Sequence, residues 1–89
     1  GNSKNIIFKV HLISTENQIP TNSKYFEGVE DIEEFVASGA YSYLVGASAS
    51  YSEIVILHDE IKKKFPESTI VSFKNGRLIK LEKALKSLH

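Results

Sequence analysis

The chain has 89 residues, enough for one domain with a modest hydrophobic core. Hydrophobic residues make up 42% and charged residues 25%, an ordinary globular balance, and no apolar run is long enough for a membrane-spanning helix. The absence of cysteine excludes disulfides, thiolate zinc sites and cysteine nucleophiles, and 11 basic residues against 11 acidic ones leave no net positive charge of the kind that nucleic-acid-binding domains carry.

Residues 1–5 read as a tag or disordered N-terminus, with Gly1 as a cloning remnant, and residues 6–89 as the domain. The lack of methionine points to a piece of a longer protein, and GNSKNIIFKV lacks the basic-then-apolar order of a signal peptide. Residues 6–14, IIFKVHLIS, alternate along a period of two. That pattern predicts a half-buried strand with Phe8, Val10 and Leu12 on one face and Lys9, His11 and Ile13 on the other. Residues 15–28 hold Asn17, Pro20, Asn22, Ser23 and Gly28 and read as a long loop with at most a short helical turn. Over 29–37 two patterns compete. Val29, Ile32 and Val36 fit a helical stripe stopped by Gly39, while Ser38-Gly39 before YSYLV equally suits a hairpin.

Residues 41–47, YSYLVGA, predict a strand with Tyr41, Tyr43 and Val45 on one face and Ser42, Leu44 and Gly46 on the other. Gly46 leaves a flat spot where a backbone or ligand can come close. Residues 51–65 predict a helix: Ser50 and Glu53 form a capping box, and Ile54, Leu57, Ile61 and Phe65 recur at helical spacing. Lys62, Lys63 and Lys64 suit its last turn, and Pro66 ends it. TIVSF over 69–73 predicts another strand, and Asn75-Gly76 a tight turn into a short return at Arg77–Ile79. LEKALKSL over 81–88 predicts a short amphipathic helix. FKVHLIS and YSYLVGAS echo one another, which suggests two related halves.

The zero net charge hides an asymmetry. Residues 1–61 carry three bases and nine acids, and residues 62–89 carry eight bases and two acids. These read as two solvated faces that attract each other across the fold.

No motif for catalysis stands out. His11, His58 and His89 lack ligand spacing and have no cysteine beside them, so no metal site is expected. Gly46-Ala47-Ser48-Ala49-Ser50 resembles a nucleophile elbow, but its fifth position is serine and Ser50 is accounted for as a helix cap. Glu33 with Glu34, and Asp59 with Glu60, are sequence neighbours whose side chains diverge. The five glycines are scattered, so no phosphate-cradling loop and no cofactor site are expected. A surface reading remains. If the helices cover one sheet face, the other presents Lys9, His11, Ile13, Ser42 and Leu44 around Gly46. The last strand adds Ile70 and Ser72, or Thr69 and Val71, depending on register. Such a mixed surface suits an extended, weakly charged ligand, or packing on a neighbouring domain or dimer mate.

The stretch YSYLVGASASYSEIVILHDEIKKKFPESTIVSFKNG resembles a unit of the sporulation-related (SPOR) peptidoglycan-binding domains: an aromatic-x-V-x-[VI]-G type strand, a serine-rich turn, a helix and a closing strand. FKVHLIS resembles the first strand of that family, with His11 in place of its usual glutamine and Ile13 in place of a nearby glycine. Phe8-Lys9-Val10, Asn22-Ser23 with Phe26 and Gly28, Gly39 with Tyr41, Tyr43 and Gly46, and Phe73-Lys74-Asn75-Gly76 resemble the C-terminal tails of N-acetylmuramoyl-L-alanine amidases of Bacteroides-like bacteria. The resemblance implies an α+β, ferredoxin-like βαββαβ fold with a degenerate first helix. It implies a four-stranded antiparallel sheet with helices on one face, a short extra C-terminal helix, and a hairpin of 31–37 with 41–46. In function it implies a non-catalytic module that binds peptidoglycan glycan strands in the periplasm or envelope, without membrane insertion, and targets an attached amidase to the cell wall. The glycan-binding residues expected on the open face are Lys9, His11, Ile13, Ser42, Leu44, Gly46, Ile70 and Ser72. Two alternatives stay open: a docking or dimerisation module, in contact with its own catalytic domain or a second copy, and a small-molecule-binding regulatory domain.

Overall fold

The computed structural model describes residues 5–88; Gly1, the expected cloning remnant, with the rest of 1–4, and His89 lie outside the described residues. The chain is α+β. Its elements are β1 (Ile6–Thr15), a single 3-10 turn (Lys24–Phe26), β2 (Glu33–Ala37), β3 (Ala40–Ser48), α1 (Tyr51–Ile61), β4 (Thr69–Lys74), β5 (Arg77–Ile79) and α2 (Leu81–Ser87). The strands form one antiparallel sheet in the order β2-β3-β1-β4-β5. Five strands stand where four were expected, because the Asn75-Gly76 turn sends Arg77–Ile79 back along β4. Asn75 at φ 51° and Gly76 at φ 81° supply the paired positive φ that a two-residue hairpin of this hand needs.

The ambiguous segment 29–37 is not a helix: residues 33–37 are the first arm of a hairpin with 40–44, a shorter pairing than the expected 31–37 with 41–46, and residues 29–32 lead in without regular structure. β2 pairs with β3 from Glu33↔Leu44 to Ala37↔Ala40. The hairpin connects through Ser38 at φ 52° and Gly39 at φ 75° and sets Phe35 beside Ser42.

Both helices pack on the same sheet face. Ile6, Phe8, Val10 and Leu12 alternate into that face and are buried. Tyr43 and Val45 of β3, Ile54 and Ile61 of α1, Phe65, and Ala84 of α2 join them in one core. The Phe8 and Tyr51 rings meet edge-on at 5.3 Å. Helix α1 stops at Ile61, four residues short of the periodic apolar pattern, and a looser turn delivers Phe65 through its N–H to the Ile61 carbonyl at 2.8 Å. The cap works by a variant of the expected box. Ser50 Oγ accepts from the Glu53 N–H at 3.3 Å, while the Glu53 carboxylate accepts from Ser48 Oγ, which itself accepts from the Ser50 N–H.

No full helix links β1 to β2. The connecting loop instead plugs the end of the core with Phe26, which is 1% exposed and lies 5.1 Å from the Tyr43 ring. Tyr43 Oη holds the loop from below by accepting the Ile19 N–H at 2.6 Å.

Candidate functional site

Residues opposite one another in an antiparallel ladder point to the same side of the sheet, so the register decides which side chains stay clear of the helices. Lys9 pairs with Val71 and His11 with both Thr69 and Leu44, which places these five on the uncovered face. Val10 pairs with Ile70 and Phe8 with Ser72, which places Ile70 and Ser72 under the helices. Both were expected on the open face. Ser72 is fully buried and its Oγ donates to the Ile79 carbonyl at 3.0 Å; Ile70 packs on the core. Of the two registers the sequence allows, the one with Thr69 and Val71 outward is the real one.

Two bulges move two further expected residues. Between His11 and Ile13 the β1 strand carries an extra residue against Leu44–Tyr43 of β3. Leu12 and Ile13 therefore both turn toward the core side, and Ser14 takes the outward place that alternation assigns to Ile13. Between Val45 and Ser48 the extra residue is on β3, at Gly46 with φ +77°. A Cβ at Gly46 would collide with Leu57 and come within 3.2 Å of Ile54 Cδ1. The flat spot thus admits α1 and not a ligand.

Lys9, His11, Ser42 and Leu44 remain on the uncovered face. Lys9 is already engaged: its ammonium pairs with Glu33 and sits 5.1 Å from the centre of the Phe73 ring. Leu44, at 2% exposure, is floor rather than wall. His11 and Ser42 are joined through Ser14. His11 Nε2 is 2.8 Å from Ser14 Oγ, which is 2.7 Å from Ser42 Oγ. Desolvation by burial lowers the His11 pKa and so favours the neutral ring, which can accept from Ser14 while Ser42 keeps lone pairs free.

The sheet curls toward its uncovered side. Phe35 of β2 and Phe73 of β4 belong to strands with two others between them, yet their rings meet at 5.4 Å in an edge-on contact. They divide the concave face into two open depressions. One, of about 260 Å³, has the His11–Ser14–Ser42 row on one wall and Leu44, Val71 and Leu78 around it. The other, of about 410 Å³, is bounded by Ile7, Ala47, Gly76 and the Lys9–Glu33 pair. Phe35 and Phe73 line both.

Sequence reasoning missed Ser14, Phe35, Phe73 and Leu78. Phe73 and Val71 follow from β4 alternation once the register is known. Phe35 becomes visible once the hairpin is chosen over the helix. Nothing in the sequence marks the Leu12 bulge that brings Ser14 outward. Comparison with protein-family models, with curated proteins and with solved structures finds no match for this chain.

Proposed function

We propose that this chain is a SPOR-like, non-catalytic module that binds peptidoglycan glycan strands on its uncovered sheet face and tethers a cell-wall amidase in the bacterial periplasm. One observation carries this reading: the concave face pairs two phenylalanine rings and an apolar floor with a row of hydroxyl and imidazole groups. Sugar rings have the matching chemistry, with C–H faces that pack on aromatic and aliphatic side chains and edges of hydroxyl and acetamido groups that exchange hydrogen bonds. The strand order β2-β3-β1-β4 supports the ferredoxin-like reading, in which β1 is central and the first crossover helix has shrunk to the Lys24–Phe26 turn. In this reading β5 is an addition to one edge. Affinity per site is modest, since each neutral hydrogen bond contributes about 0.5–1.5 kcal/mol net.

The test is co-sedimentation of the purified domain with amidase-treated cell-wall sacculi. Wild type should pellet with them. Ser42→Ala and Phe35→Ala, each checked for retained fold by circular dichroism, should release it into the supernatant. Folded variants that pellet as well as wild type would remove the site from the uncovered face.

A further inference from the structure

The two edges of the sheet are unlike in charge and in shape. On the β2 edge, Glu30 and Asp31 lead into the strand and Glu34 lies on it. On the other edge, Lys74 and Arg77 form the last pair of the β4–β5 hairpin, and Lys80, Lys83 and Lys86 follow at the cap and along α2. Among the described residues, none of these five cations has an acidic partner within ion-pair distance.

Shape adds a second difference. Val36 protrudes from β2 with 61% of its surface exposed. β5 is three residues long and covers only Ser72–Lys74 of β4, so Thr69, Ile70 and Val71 lack a strand partner on that side. The uncovered length opens as a notch of about 350 Å³ lined by Ile70, Val71, Leu78, Ile79 and Leu81, with Lys80 at its rim. Leu78 beside it is 55% exposed. A free strand edge carries unpaired N–H and C=O groups and pairs readily with another strand.

We propose that these edges are the two halves of a head-to-tail contact, in which the acidic β2 edge of one copy docks on the basic β5–α2 edge of the next and seats Val36 in the notch. Charge selects this arrangement over the symmetric ones. Two β2 edges brought together would oppose acids, and two β5 edges would oppose bases. The unlike pair alone brings opposite charges together. A head-to-tail contact of this kind repeats, so it builds short runs of molecules rather than a closed dimer. The notch shares Val71 and Leu78 with the smaller depression of the concave face, but Glu30, Val36, Lys80 and Lys83 line neither depression, and the inference does not depend on what binds there.

Sedimentation velocity over a concentration series in low salt tests it. Weight-average mass should rise at least about twofold toward millimolar protein and return to the monomer value in half-molar salt, where exposed charges are screened. A variant with Glu30→Lys and Val36→Lys, and a second with Lys80→Glu and Lys83→Glu, should each stay monomeric alone and associate again when mixed. A wild type that stays monomeric throughout overturns the proposal. So does association that salt leaves unchanged, that persists in either variant alone, or that mixing fails to restore. Monomers that bind inorganic polyphosphate through the Lys80 and Lys83 edge would also overturn it, by assigning that edge to an anionic polymer instead.

Discussion

His11 sits where chemistry and burial meet. Its ring closes the row through Ser14 to Ser42, and desolvation holds its pKa below 6.5. The unfolded chain therefore takes up the imidazole proton at a higher pH than the folded one does. Between the two pKa values the unfolded state binds more protons, so stability rises with pH there. The contribution of His11 is fully present above about pH 6.5 and fades as the pH falls through the folded value. Thermal melts of wild type and His11→Gln across pH 5–7.5 should show this directly. Wild type should lose melting temperature on acidification through this window, and the variant should lose less. Parallel curves would mean that His11 titrates alike in both states. The residue was legible in the sequence as an outward position on the first strand; its partner Ser14 was not. Strict alternation points Ser14 toward the core, and only the extra residue at Leu12 reverses it.

At the scale of elements, the link between β1 and β2 closes one end of the core. It is irregular because Asn17, Pro20, Asn22 and Gly28 oppose a continuous helix, and this much the sequence states openly. What it does not state is how the end of the core is closed without that helix. Phe26 does so from a single 3-10 turn, capped by Ser23 Oγ accepting the Tyr25 N–H and seated against Tyr43. Phe26→Ala would leave a cavity between that turn and β3, and truncations of this kind cost about 3–5 kcal/mol. In a domain this small, that is a large share of total stability. Urea unfolding should show a midpoint lowered accordingly, with little change in slope. A loss below about 1 kcal/mol would mean that the loop collapses to fill the space, and that the turn is an ornament on a core closed by other groups. Elsewhere, strong local chemistry made elements legible. The Ser50 cap, the Asn75-Gly76 turn and the apolar spacing from Ile54 to Ile61 each announce themselves within a few residues. Glu33–Ala37 did not, because two glutamates and three apolar residues satisfy a strand and a helix about equally well.

For the whole molecule, the decisive property is the curl of the sheet, which no local pattern encodes. Twist accumulates strand by strand, and the bulges at Leu12 and Gly46 sharpen it on two neighbouring strands. The result brings Phe35 and Phe73 together over the uncovered face and turns a flat sheet into a divided trough. If that contact helps to hold the curl, the two rings must be energetically coupled although they lie 38 residues apart in sequence. A double-mutant cycle with Phe35→Leu and Phe73→Leu, read by urea unfolding, isolates that coupling from the apolar area that each leucine keeps. Aromatic pairs in this geometry couple by about 0.5–1.5 kcal/mol, and the cycle should fall in that range. The Lys9 ammonium also lies over the Phe73 ring, but that contact is lost in both legs that carry Phe73→Leu and cancels, so repeating the cycle on a Lys9→Gln background should leave the coupling about unchanged. A coupling near zero would mean that twist and bulges shape the trough by themselves and that the rings merely touch. In that case the wall between the depressions is soft, and the two rings can part with little cost in stability.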